Sequence, residues 1–271
     1  MESISTIPTA EKFLGSLLGA YIGYRYSSRS DIPWQSVNSK SLSQLWRNSI
    51  QQPTVAGPQV LEPQTLVSRP AAALPWLLYH RDNSSYRYQS LAQTRASVDS
   101  SSASILINAI GATCILGDCL EWLIQCSTTL QPSLPLICKH LLQRQAAYPT
   151  VLAGHVERFT EVLASQILAF EPLQPYEQPL LTTALAVKHS LRYPENLALI
   201  LTNSQEIETT ATLRGCLLGA WGGLSIIPTE WIMALTNDSH QLISHVADKI
   251  YRDWAGIIGA SATYDTSPLD F

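Results

Sequence analysis

Charge is what this chain has least of. Only 14% of its 271 residues are Asp, Glu, Lys or Arg, against roughly 25% in an ordinary soluble domain. Lys and Arg number 17 and Asp and Glu 21, a formal net charge of -4, and no basic block interrupts the sequence. Nucleic-acid binding is thereby excluded, because neutralising phosphates takes clustered Lys and Arg. A cysteine framework is missing too. Cys114, Cys119, Cys126, Cys138 and Cys216 are odd in number and lack CxxC spacing, which argues against disulfides and a zinc site. They read as small buried apolar residues. Met1 to Pro8 lack the basic start and apolar core of a signal peptide. The longest apolar stretches, 13–24 and 105–117, fall short of the roughly 18–20 residues a membrane span requires. The expectation is a cytoplasmic protein without a membrane span. P-loop, dinucleotide and G-x-S-x-G fingerprints are absent, and the six histidines show no ligand spacing.

What is present is apolar and helical. Hydrophobic residues make up 46%, enough at this length to bury a large core in one domain over residues 1–271, so disorder is not the default. Helical periodicity dominates, and no stretch alternates cleanly over strand length. The spacing predicts helices over about 10–25, 42–50, 86–96, 151–170, 180–192, 195–202, 206–221, 228–235 and 240–254, with one capped within 98–102 and reaching about 126, and another carrying Leu136, His140 and Leu141. Thr9 is the cap candidate of the first. Pro53, Gly57, Pro58, Pro63 and Pro70 mark 51–73 as an irregular surface segment, and 255–271 as a whole reads as a coil tail. The fold class expected is all-α.

One motif occurs twice. Gly15-Ser16-Leu17-Leu18-Gly19-Ala20-Tyr21-Ile22-Gly23 returns as Gly215-Cys216-Leu217-Leu218-Gly219-Ala220-Trp221-Gly222-Gly223. Glycine at i, i+4 and i+8 lines one helical stripe. Each interior glycine costs about 0.8–1 kcal/mol against Ala, so something must need the bare backbone. Two helices crossing closely in the core is the simplest such need; framing a ligand site is the other. Just before the second copy stand Glu206, Glu208 and Thr209. In the first turn of a helix they can converge on a hard cation such as Mg²⁺ or Ca²⁺, or merely complement the helix dipole. Asp118 and Glu121, on an apolar helix, are either functional or mark its wet face.

The segment 185–235 resembles the C-terminal signature of the ADP-ribosylglycohydrolase family, in which a G-G-D-x-D-T turn leads into a glycine-rich helix and then an I-P-x-x-W segment. The matching residues are Ser204 to Thr209, Arg214 to Gly223, and Ile227-Pro228-Thr229-Glu230-Trp231. Gly15 to Gly23 resembles the family's opening helix, G-x-x-x-G-x-x-x-G-D. The resemblance implies a single orthogonal helical bundle and hydrolysis of glycosidic bonds to ADP-ribose at two Mg²⁺ ions. It places Glu206, Glu208 and Thr209 at the D-x-D-T positions, as a remnant metal site. It also exposes departures. Tyr24 stands where the opening helix carries its aspartate, no T-D-D-T cluster lies between 24 and 73, and Ser204 and Gln205 replace two glycines. The expectation is a degenerate member that has lost hydrolysis, needs no cofactor, and binds a protein partner or a nucleotide-like small molecule. Mg²⁺ is the ion implied if the remnant still acts. An active hydrolase with an altered metal site and a structural subunit of a complex are the alternatives.

Overall fold

The computed structural model describes residues 8–27, 46, 70–94, 103–126, 131–165, 178–194, 197 and 208–257. The described residues form helices and no strands. In chain order these are α1 (Thr9–Ser27), α2 (Leu74–Tyr79), α3 (Ser84–Thr94), α4 (Ala103–Gln125), α5 (Leu134–Arg144), α6 (Thr150–Ala164), α7 (Gln178–Arg192), α8 (Glu208–Gly222), α9 (Thr229–Met233) and α10 (Asn237–Trp254), with short 3-10 turns at Pro70–Ala73, Gln145–Ala147 and Gly223–Ile226. The expected all-α class is what the chain adopts.

The core is centred on α1 and α8. α1 is buried on nearly every side, through Phe13, Leu17, Leu18, Ala20, Tyr21, Ile22 and Tyr24, the pattern of a helix surrounded by others. α8 covers one side of it and α10 another, while α7 backs α8 and α4 lies along α7 and α8. α10 shows how local sequence sets the ends. Thr236 caps it by accepting from the Ser239 backbone N–H. Gly256, at φ 65°, closes it with backbone bonds from Gly256 to Asp253 and from Ile257 to Arg252, a Schellman ending that needs the left-handed conformation.

Three expectations are corrected. Ala71, Ala72 and Ala73 are buried in a 3-10 turn rather than lying on an irregular surface segment, because short apolar side chains there pack under α4 and α8. Asp118 and Glu121 mark no wet face: both are buried. Pro8, not Thr9, receives the first backbone bond of α1, from Lys12 N–H. The cysteines divide, with Cys114, Cys119 and Cys216 buried and Cys126 and Cys138 half-buried. The predicted helices at 42–50 and 195–202 fall outside the described residues, apart from a helical Trp46 and Leu197. So do 51–69 and the tail beyond 257. By length and composition Ser104–Gln125 is apolar enough to cross a membrane, but most of it is buried against other helices, as in a central core helix.

Candidate functional site

The two glycine motifs meet. A Cβ built on Gly19 would lie 2.1 Å from the Gly215 carbonyl oxygen, and one on Gly215 would lie 1.9 Å from that of Gly19. Gly219 faces the Gly15 carbonyl at 2.0 Å, and Gly23 faces that of Ala211 at 2.1 Å. As numbers rise along α1 they fall along α8, so the helices run antiparallel with backbones in contact. Only glycine permits this approach.

This pairing brings Tyr24, just past Gly23, to the same end of the pair as the first turn of α8, two residues before Ala211. Glu208 opens α8, though its side chain is not among those described, and Thr209 is half-buried in the first turn. Glu206 lies outside the described residues. Tyr24 is 3% exposed, and its side chain is a phenol, not a carboxylate.

The described acids with the most contacts lie elsewhere, on α4. Asp118 accepts from Arg87 Nη2 at 2.5 Å, Tyr88 Oη at 2.5 Å and Tyr148 Oη at 2.6 Å. Glu121 accepts from Arg87 Nη2 at 3.1 Å and from both Arg144 terminal nitrogens at 2.8 and 2.6 Å. Burial works against the Arg87 cation, but Asp118 and Glu121 outweigh it and raise its pKa above the ordinary guanidinium value. Burial and then Asp118 push both phenols up, so Tyr88 and Tyr148 remain proton donors. The lone pairs of these carboxylates are taken up inside the fold. Both carboxylates are thus paired and hydrogen-bonded, the arrangement in which a buried charge is tolerated, while Arg87 Nε is left without a partner. The sequence signal was an Asp and a Glu three apart on an apolar helix; their partners Arg87, Tyr88, Arg144 and Tyr148 carried no signal of their own.

Other buried cations end helices. Lys12 Nζ donates to the carbonyls of Ile124 at 2.9 Å and Cys126 at 2.7 Å, closing the C-terminus of α4. Lys188 Nζ reaches Val162 and Ser165 carbonyls at the end of α6. Arg87 Nη1 donates to the carbonyls of His80, at 2.7 Å, and Arg81, just past α2. A cation there satisfies orphan carbonyls and meets the negative end of the helix dipole. The histidines are dispersed. Burial, then Arg87, lowers His80 to about 4, and burial, then Arg214, lowers His189 to about 4. His155 bonds Asn108 at 2.9 Å.

The family model for ADP-ribosylglycohydrolases matches residues 40–257. The chain belongs to the ADP-ribosylglycohydrolase family. The match takes in α8 with its glycines and the residues before it, and begins after α1. No curated protein and no solved structure gives a significant match. The family's two-metal chemistry requires clustered acidic ligands. Among the described residues no three of His, Cys, Asp and Glu converge, position 24 offers a phenol, and Asp118 and Glu121 are taken up by arginines and tyrosines. The described residues do not fit a two-metal centre.

Proposed function

We propose that this chain is an ADP-ribosylglycohydrolase-family protein that has lost metal-dependent hydrolysis and works by binding a protein partner or a nucleotide-like ligand. The observation that carries the reading is Tyr24. It is buried at the end of α1, held beside the start of α8 by the Gly23–Ala211 contact, and it supplies no carboxylate. Mg²⁺ demands near-ideal octahedral oxygen geometry, and Glu206 and Glu208 each add a methylene to the arm that an aspartate would use. A metal held from one side only neither fixes nor orients an attacking water. Low surface charge accords with a binding role, since few like charges oppose a partner.

The decisive experiment is a Mg²⁺-dependent ADP-ribose release assay on arginine- and serine-linked substrates, paired with calorimetric titration of ADP-ribose in chelator. The expected outcome is no release in either substrate class. Turnover that disappears in Glu206→Ala overturns the proposal. Thermal melts with chelator and with Mg²⁺ test the remnant separately, because a bound ion raises the melting temperature by mass action. The proposal requires no shift in wild type; a shift absent from the Glu206→Gln/Glu208→Gln double variant means that the metal site is alive.

A further inference from the structure

A cleft of about 300 Å³ opens between the end of α4 and the outer side of α5. Trp122 in the last turn of α4 and Cys126 just past its end form one wall. Leu136, Lys139, His140 and Gln143 form the other, and their spacing of three, four and seven puts all four on one stripe of α5. This cleft is remote from the family site. Its Cys126 wall adjoins Lys12 near the start of α1, whereas Tyr24 lies roughly 18 Å further along that helix at 1.5 Å per residue.

We propose that this cleft binds a small aromatic carboxylate. The indole of Trp122 and the isobutyl group of Leu136, which is 51% exposed, offer two apolar faces for a flat ring. A benzene molecule occupies a cavity of roughly 150 Å³, so the space admits one ring and a short acidic arm. Lys139 is exposed and makes no ion pair among the described residues, and α5 carries no acid at all. Glu121, the acid one residue from Trp122, is engaged by Arg87 and Arg144, which leaves Lys139 for a ligand. One ammonium in a cleft also lined by Gln131 and Gln143 matches a single planar carboxylate better than a phosphate, which calls for more positive charge. An apolar lining with a few convergent polar groups is the usual make-up of a small-molecule site.

The test is a nuclear magnetic resonance titration of the full ¹⁵N-labelled chain with phenylacetate, 2-phenylethanol and acetate. The readout is the Trp122 indole N–H, assigned with Trp122→Phe. Phenylacetate should shift it saturably with a Kd on the order of 1 mM, the range for a ligand of about ten heavy atoms. Phenylethanol, lacking the charge, and the Lys139→Met variant should each weaken binding up to roughly fivefold, as one exposed ion pair allows. Acetate, lacking the ring, should leave the resonance in place. Lys139 is exposed, so its variant stays folded and its unchanged melting temperature verifies this. No saturable shift up to about 20 mM, equal affinity for phenylethanol, or undiminished binding by Lys139→Met overturns the assignment.

Discussion

Adding one methyl group at Gly19 should unfold this protein more readily than its size implies. In Gly19→Ala the new Cβ falls 2.1 Å from the Gly215 carbonyl oxygen and 2.8 Å from the carbonyl carbon, whereas ordinary contacts lie at 3.4–4 Å. Both obstacles are backbone, so no side chain can swing aside. The helices must part by roughly 1 Å, a gap that forfeits up to half of each facing dispersion contact. The loss falls on the buried neighbours Leu17, Leu18, Cys216, Leu217 and Leu218. Overpacking of this kind costs about 3 kcal/mol at the upper end of its usual range. Alanine returns about 0.8–1 kcal/mol through helix propensity. The net is a loss of about 2 kcal/mol, a Tm lowered by about 4–8 °C for a chain of this size. Gly154→Ala is the matched control, since Gly154 lies on the exposed side of α6 and a Cβ there meets nothing within 4 Å. It should raise Tm by about 2–4 °C. Gly215→Ala pushes on the same interface from the other side, so the double variant should cost clearly less than the two single losses together. Circular dichroism melts and urea titrations on the wild type and the four variants decide the matter. If Gly19→Ala were as stabilising as Gly154→Ala, the backbone contact between α1 and α8 would be refuted.

Asp118→Asn should cost about 3–5 kcal/mol in urea denaturation, the usual penalty for stranding a buried cation, and Glu121→Gln should cost less because Arg144 is partly exposed. The reverse ranking would remove Asp118 from the centre of the network. Stability should also fall on acidification between about pH 6.5 and about 4. The unfolded histidines bind protons there while folded His80 and His189 stay neutral, so stability rises with pH across that window. His80→Phe combined with His189→Leu should flatten this part of the urea-midpoint profile, and an unaltered slope would mean that neither histidine is held neutral.

What the sequence made legible was periodic or repeated. The glycine stripes announced a close contact because interior glycine has a helical cost that needs a reason, and the contact is between the two repeats themselves. Helix positions followed from apolar spacing, while ends shifted by a few residues: the helix expected from about 240 starts at Asn237. The buried network was legible only by half. Asp118 and Glu121 stood out as acids in an apolar helix, but Arg87 and Tyr148 lie 31 and 30 residues from Asp118, and no local pattern joins them. Lys12 is more distant still, 114 residues from Cys126. Long-range polar pairing is a property of the tertiary fold, so no periodicity encodes it. Tyr24 was legible through a family resemblance alone, as a departure from a pattern.

The antiparallel contact of α1 and α8 has a consequence for synthesis. Gly19 and Gly215 are separated by roughly 200 residues, and contacts that far apart make folding slow. When α1 leaves the ribosome it carries Phe13, Leu17, Leu18 and Ile22, all buried in the finished protein, and the helix that covers them has yet to be translated. Apolar surface of that kind invites aggregation until its partner arrives. A nascent chain stalled before α8 should therefore be held by chaperones through α1, and release should coincide with the emergence of the second glycine motif.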